Sequence, residues 1–273
     1  NSAPVFRVDR GELAMTGGAV LDNPGKAFGT EGAVISLRGT LISRCDSGGE
    51  FKHTRLTMEE THTLEMPDAD GVANDDDNDG VYLSNAYGPD GKEEYSILRN
   101  VVFAVGEDDA IDHNGGLVRV DGAWIRGFLH EGVAASNSRR IEIRDAIISK
   151  CEQGLEAGYG SPTVIAERVY VVDNNVGLRI GDSYDRLVSG TLTVRDSVIA
   201  RNGENLRNYS NRDQGPIAGA LTVSCSWVGD PAGPTEGTCN RLEQAPTNTC
   251  PSPSDEGSGC ECGLPAPRTC DRP

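Results

Sequence analysis

Three stretches of the sequence align with one another: Leu117-Val-Arg-Val-Asp-Gly-Ala-Trp-Ile-Arg126, Arg140-Ile-Glu-Ile-Arg-Asp-Ala-Ile-Ile-Ser149 and Thr163-Val-Ile-Ala-Glu-Arg-Val-Tyr-Val-Val172. Each stretch begins with alternating apolar and polar residues and continues with a second short apolar run. Each is then followed by a glycine and an apolar residue, at Gly132-Val133, Gly154-Leu155 and Gly177-Leu178. This pattern predicts three short strands per repeat, separated by turns.

Repeats this short cannot bury their apolar faces alone, so neighbouring repeats must stack and share one continuous core. The same frame extends back to Tyr95 and forward to Asn202, and the segment from Gly32 to Gly91 alternates with less regular spacing. The expected fold is all-β, a solenoid of about 23 residues per coil.

These coils resemble the right-handed parallel β-helix repeat proteins of the pectin-lyase-like superfamily. The resemblance implies a single-stranded, right-handed parallel β-helix. We expect an N-terminal cap or edge segment over residues 1–31, the β-helix over 32–230, and a Cys- and Pro-rich tail, stapled by disulfides, over 231–273.

Composition narrows the choice of partners and compartment. The chain has 273 residues, a formal net charge of −17 and only 5% aromatic residues. So negative a protein repels nucleic acids and anionic membranes, and no apolar run is long enough to span a bilayer. Six of the eight cysteines lie in the last fifty residues. Disulfides are favoured there over zinc, which predicts an oxidising location: extracellular, at the cell surface or in the periplasm.

Residues one period apart are expected to stack directly above one another, which pairs most charges of the regular coils. The columns place Arg119 over Glu142, Asp145 over Arg168 and Glu156 over Arg179. These ladders are predicted to fix the register and to keep the outer faces soluble.

The acidic segment 68–79 predicts a cation site. Asp75, Asp77 and Asp79 are followed by Gly80, and this spacing lets short carboxylates converge on calcium together with the carbonyl of Val81. The twelfth position of the loop is not an acid, so another acid would have to complete the shell. The alternative is a solvated acidic insertion between coils.

A second acidic cluster contains Glu107, Asp112 and Glu131. The regular period places Asp108 over Glu131, with carboxylates about 5 Å apart. Such a pair raises the pKa of one member unless a cation or His130 shares the site. The alternative is a solvated turn in which the two side chains splay apart.

The same region is similar to polygalacturonases, which carry Asn-Thr-Asp, Gly-Asp-Asp, Gly-His-Gly and Arg-Ile-Lys in that order. The corresponding segments are Asn78-Asp79-Gly80, Gly106-Glu-Asp-Asp109, Leu129-His-Glu-Gly132 and Arg179-Ile-Gly181. This resemblance implies an acid/base pair of Asp108 and Asp109, with His130 and Arg179 nearby. Leu129, Gly181 and the inserted Glu107 depart from the family pattern. Calcium-dependent pectate lyases offer a second, weaker similarity.

From sequence alone we favour a secreted, calcium-stabilised β-helix that serves as a surface, structural or glycan-binding module without turnover. The alternative is a polysaccharide-degrading enzyme, either a polygalacturonase-like hydrolase or a pectate-lyase-like lyase. The expected partner is an extracellular polysaccharide, another protein or a second copy of the chain.

Overall fold

The computed structural model describes residues 3–66, 78–86, 92–181, 189–208, 220–229 and 241–242, and every regular element in them is a β-strand. The strands run in chain order: β1 (Phe6–Asp9), β2 (Glu12–Thr16), β3 (Ala19–Lys26), β4 (Phe28–Glu31), β5 (Val34–Arg38), β6 (Leu41–Ser47), β7 (Glu50–Lys52), β8 (Arg55–Glu59), β9 (His62–Met66), β10 (Val81–Ala86), β11 (Ser96–Gly106), β12 (Ile111–Phe128), β13 (Glu131–Arg144), β14 (Ile147–Ser149), β15 (Gln153–Ala157), β16 (Gly160–Glu167), β17 (Tyr170–Val172), β18 (Val176–Ile180), β19 (Thr191–Arg195), β20 (Val198–Ala200), β21 (Glu204–Asn208), β22 (Ala220–Ser224), β23 (Trp227–Val228) and β24 (Arg241–Leu242).

All the pairs formed by these described strands are parallel, and they build three faces that make the molecule a β-helix. The first face runs from β1 through β4, β7 and β10 to β15, β18 and β21. The second runs from β2 through β5 and β8 to β16, β19 and β22, and the third from β3 through β6 and β9 to β14, β17, β20 and β23. The long strands β11 and β13 each turn one corner between two faces, and β12 runs through all three faces.

The parallel ladder begins near the start of the chain. Phe6 pairs with Phe28 on the first face, and Leu13 pairs with Ile35 on the second. The segment 1–31, expected as a cap or edge, therefore contains strands of the same kind as the coils that follow it.

The core lies inside the coils and is built from stacked apolar columns. In one column Val118 pairs with Ile141 and Ile141 with Val164, and all three are fully buried. Phe28, Phe51, Phe103 and Phe128 are among the largest buried side chains. Burial of such columns is the main stabilising contribution, because each coil is covered by its neighbours.

Buried polar side chains satisfy backbone amides at the corners, where the sheet ladder is interrupted. The side-chain oxygen of Asn174 accepts from the amide of Cys151 (2.9 Å), and that of Asn202 accepts from the amide of Asn174 (2.9 Å). On another corner the Ser197 hydroxyl accepts from the amide of Val169 (3.0 Å). Stacked side chains therefore hold these corners.

The glycine column found in the sequence has a steric cause. A Cβ on Gly132 would lie 2.8 Å from the carbonyl oxygen of Gly154, and one on Gly154 would lie 2.6 Å from that of Gly177. Contacts this short do not occur in folded proteins, so only glycine lets these coils approach.

Several sequence predictions fall outside the described residues. Asp75 and Asp77 lie there, as do all the cysteines after Cys225, so the structure does not address the disulfide tail. Cys45, Cys151 and Cys225 are described and are free thiols. The described residues contain no helix long and apolar enough to cross a bilayer.

Candidate functional site

The predicted site residues meet at the corner between the third and first faces. We call this region the acidic corner and define it by Asn78–Asp79, Glu107–Asp109 and His130–Glu131. Here the offset between successive coils is one position shorter than the predicted period, since Ile111 pairs with Val133. Asp109 therefore stacks on Glu131, and the predicted placement of Asp108 over Glu131 is wrong by one position.

Backbone contacts hold this corner in register. The amide of Ala110 donates to the carbonyl of Glu131 (3.0 Å), and the amide of Glu131 donates to Oδ1 of Asp109 (2.8 Å). One coil earlier, the amide of Asp109 donates to Oδ1 of Asp79 (3.4 Å). Asp79, Asp109 and Glu131 thus follow one another along the stack.

His130 joins three carboxylates. Its Nδ1 lies 3.1 Å from Oδ1 of Asp108, 3.5 Å from Oδ1 of Asp109 and 2.5 Å from Oε2 of Glu131. Hydrogen bonds with Asp108, then Asp109 and Glu131, raise the pKa of His130 far above its usual value. The His130 side chain is 48% exposed, so a charged imidazole faces solvent beside Asp108.

Asp109 and Glu131, two of the buried acids of the corner, have pKa values that are shifted in opposite directions. Burial, followed by the nearby charge of Glu131, raises the pKa of Asp109 well above its ordinary value. Burial also acts to raise the pKa of Glu131, but hydrogen bonds with His130 and Asp109 outweigh it and the pKa falls. The two carboxyls are therefore pushed in opposite directions, so Asp109 keeps its proton to a higher pH than Glu131 does.

Arg179, on β18, reaches the same network from two coils away. Its guanidinium lies 2.6 Å from Oε1 of Gln153, 3.1 Å from Oε2 of Glu156 and 3.7 Å from Oε1 of Glu131. Glu131 consequently bridges His130 and Arg179. The four residues proposed for catalysis, Asp108, Asp109, His130 and Arg179, share one connected cluster.

Two members of this cluster were not assigned to the site from the sequence. Gln153 donates its side-chain amide to Glu131 and accepts from Arg179. Glu156 was assigned only to a charge ladder with Arg179. The sequence position of Gln153 could have indicated its role, because Gln153 lies one coil after Glu131 and pairs with it on the first face.

The predicted cation ligands are only partly brought together. Single carboxylate oxygens of Asp79, Asp109 and Asp112 all lie within 4.8 Å of one another, and so do ligand atoms of Asp108, Asp109 and His130. Asp79 and Asp109 are nearly fully buried. Val81 lies in β10, where it pairs with Ile111, and Glu107 accepts a hydrogen bond from the side-chain amide of Asn78 (2.9 Å). The two predicted acidic clusters therefore merge at Asp109.

Comparison of this sequence with protein-family models and with curated proteins gave no match. A solved structure, that of QnrB1, a plasmid-mediated fluoroquinolone resistance protein, is matched with a TM-score of 0.25 and 12% identity. The match covers 79% of this chain and 91% of that one. So low a score supports no argument about function, and the assignment to the β-helix class follows from the strand pairing described above.

Proposed function

We propose that the protein is a polysaccharide-degrading hydrolase of the pectin-lyase-like type, with its active site at the acidic corner. The observation that carries this proposal is the joining of Asp108, Asp109, His130 and Arg179 in one cluster, although they come from three different coils. Unrelated surface charges would not be expected to converge on a half-exposed histidine.

Asp109 and Asp108 have the properties of an acid and a base. A raised pKa extends the protonated form of Asp109 to higher pH, and in that form the carboxyl can donate its proton to the oxygen of the scissile glycosidic bond. Asp108, which is partly exposed, can accept a proton from the attacking water. Water adds to the anomeric carbon as the glycosidic bond breaks. Asp108 gains one proton from the water and Asp109 loses one to the leaving oxygen, so the number of protons on the pair is unchanged.

His130, Glu131 and Arg179 act as positioning residues in this scheme. The imidazolium of His130 contacts Asp108 at 3.1 Å through Nδ1, and Glu131 contacts the same nitrogen, so the two carboxylates hold the ring together. Arg179 in turn fixes Glu131 and Glu156. A fixed pair of carboxyls is what hydrolysis of a glycosidic bond requires.

The test is the release of reducing ends from a panel of neutral and anionic polysaccharides. Asp108→Asn and Asp109→Asn should each reduce turnover by at least about 100-fold, because each removes one proton-transfer step. Asp22→Asn is the matched control, since Asp22 is an exposed acid of β3 that pairs with Arg44 and is not part of the corner. Absence of reducing ends on the whole panel would contradict the proposal, and unsaturated products would indicate a lyase.

A second candidate function is favoured by the convergence of Asp79, Asp109 and Asp112: a calcium-stabilised surface or glycan-binding module without turnover. Oxygen ligands from carboxylates suit calcium, and a cation would offset the cost of burying these charges. The location proposed with it is extracellular, at the cell surface or in the periplasm, in keeping with the Cys-rich tail. A protein partner or self-assembly belongs to this candidate as well.

We expect calcium to raise the thermal midpoint of unfolding and a chelator to lower it if this second function holds. Asp79→Asn should abolish the difference between the two conditions, because it removes one buried ligand. Asp22→Asn should leave the difference intact. A midpoint that is the same in calcium and in chelator would rule out the stabilising cation.

A further inference from the structure

The outer surface of the third face carries a column of apolar side chains, which we call the apolar stripe. It consists of residues that pair in successive coils: Val102, Trp124, Ile147, Tyr170, Val198 and Trp227. Outward positions of a solenoid are usually polar, since only the inward ones are needed for the core. Val198 is itself buried, at 1% exposed, whereas burial in the core does not account for the exposed members of the stripe.

The middle of the stripe is open to solvent. Trp124 is 41% exposed and Ile147 is 37% exposed. Towards the C-terminal coils, Tyr170 and Trp227 are partly buried because they pack on Val172, Val198 and Ala200. Packing against this small buried cluster restrains the rings of Tyr170 and Trp227, as a rigid binding platform requires.

The coils that carry the stripe lead in sequence directly into the acidic corner. Val105 and Leu129, which are 57% and 60% exposed, lie at the ends of the third-face strands, directly before the acidic corner. Leu129 is the immediate neighbour of His130. Among the described residues, the large exposed apolar side chains other than Val5 and Leu21 all lie in these coils.

The spacing of the rings matches an extended glycan. Trp124, Tyr170 and Trp227 occupy alternate coils, so neighbouring aromatic residues are roughly 10 Å apart along the axis. In an extended β-linked polysaccharide each sugar ring is turned over relative to the next, so alternate rings present the same apolar face. One polysaccharide chain lying along the axis can place such a face on each aromatic residue.

The charges around the stripe and on the whole protein favour an uncharged glycan over an anionic one. The corners on either side of the stripe carry ion pairs that neutralise each other: Arg168 binds Asp145 through two contacts of 3.0 Å, and Arg201 binds Asp173 through two of 2.8 Å. At the acidic corner Arg179 is already engaged by Glu131 and Glu156. With a net charge of −17, the protein repels a polyanion.

We propose that the apolar stripe binds an uncharged, extended, β-linked polysaccharide and leads it to the acidic corner. The substrate class therefore differs from the polyuronate that the resemblance to polygalacturonases implies. This inference rests on the proposed function only for the claim that the bound glycan is cut.

The experiment measures binding by calorimetry with three hexasaccharides: cellohexaose, which is uncharged and β-linked; maltohexaose, which is uncharged and α-linked; and hexagalacturonate, which is charged. Binding is measured with His130→Ala, which keeps the stripe and removes a cluster residue, and then with Trp124→Ala added. Leu21→Ala, which removes another exposed apolar side chain of the described region, is the matched control.

The expected result is that cellohexaose binds most tightly and that Trp124→Ala weakens it about fivefold to tenfold, while Leu21→Ala has no effect. Equal or tighter binding of hexagalacturonate or maltohexaose, no binding of cellohexaose, or an unchanged affinity in Trp124→Ala would each overturn the inference. Binding of cellohexaose by the wild type without release of reducing ends would support the stripe and contradict the hydrolase. Turnover that is unchanged in Trp124→Ala would support the hydrolase and contradict the role of the stripe.

Discussion

At the scale of single residues, the glycines beside the acidic corner set how closely its coils approach. Gly132 follows Glu131 directly, and Gly154 follows Gln153. Each of these two polar residues of the cluster is therefore followed by a glycine. Close approach of the backbones is what lets Gln153 reach Glu131 and lets Arg179 reach both.

Gly154→Ala should lower the free energy of unfolding by about 1–3 kcal/mol, because the new Cβ would meet backbone as well as a packed side chain. It would lie 2.6 Å from the carbonyl oxygen of Gly177 and would also overlap Cγ1 of Val171. Urea denaturation measures the change. Gly11→Ala is the control, since its Cβ would meet only Val8, at 3.5 Å. Equal stability of both variants would show that the coils can separate at no cost.

At the scale of strands, opposite charges stack across coils as the sequence predicted. Arg119 contacts Glu142 at 3.2 Å, Arg168 contacts Asp145 at 3.0 Å, and Arg179 contacts Glu156 at 3.1 Å. Tyr95 adds to the first of these ladders, because its hydroxyl donates to Glu142 (2.8 Å) and its ring lies under the guanidinium of Arg119. Glu142 is therefore the centre of a ladder on the second face.

Glu142→Gln should destabilise the protein by on the order of 1 kcal/mol at neutral pH. Burial acts to raise the pKa of Glu142, but the hydrogen bond from Tyr95 and the charge of Arg119 outweigh it and lower the pKa. A lowered pKa stabilises the fold above the unfolded value of about 4.3, and this contribution is lost as the pH falls through the folded value.

The difference in thermal midpoint between wild type and Glu142→Gln should therefore be largest at pH 7 and shrink below about pH 4. Glu60→Gln serves as the control, since the ion pair of Glu60 with Arg38 is exposed and spans 4.0 Å. A difference that does not vary with pH would contradict the role assigned to the carboxylate.

Strand registers could be predicted from the sequence because a fixed period of apolar residues marks each column. The columns of Val118, Ile141 and Val164 were placed correctly for this reason. The corners carry no such period, so the shorter offset between Asp109 and Glu131 was missed by one position. The approach of Asp79 to Asp109 was also missed, because Val81 and Ile111 pair across a longer and irregular coil.

At the scale of the whole molecule, each coil contacts only its neighbours, so the ends of the stack should open more easily than the middle. Two buried thiols report on this difference. Cys45 lies in β6, near the N-terminal end, and Cys151 lies after β14, well inside the stack. Burial raises the pKa of both thiols, that of Cys151 to about 11, so neither should react in the closed state.

In low concentrations of urea, Cys45 should be alkylated several-fold faster than Cys151, as measured by pulse labelling and peptide mass spectrometry. Without urea, both should remain unmodified over the same time. Equal labelling rates across the urea series would show that the described coils unfold as one cooperative unit and not from the ends.

The variable spacing between coils on the second face has an evolutionary consequence. Ile141 pairs with Val164, Val164 with Leu192, and Leu192 with Leu221, so the second and third of these coils are longer than the first and yet stay in register. Extra length therefore enters between the first and second faces, as between Ile180 and Thr191, without altering the core. This corner is a natural grafting position: foreign peptides inserted there should be displayed on an unchanged scaffold, and divergent copies could acquire new surfaces there without repacking.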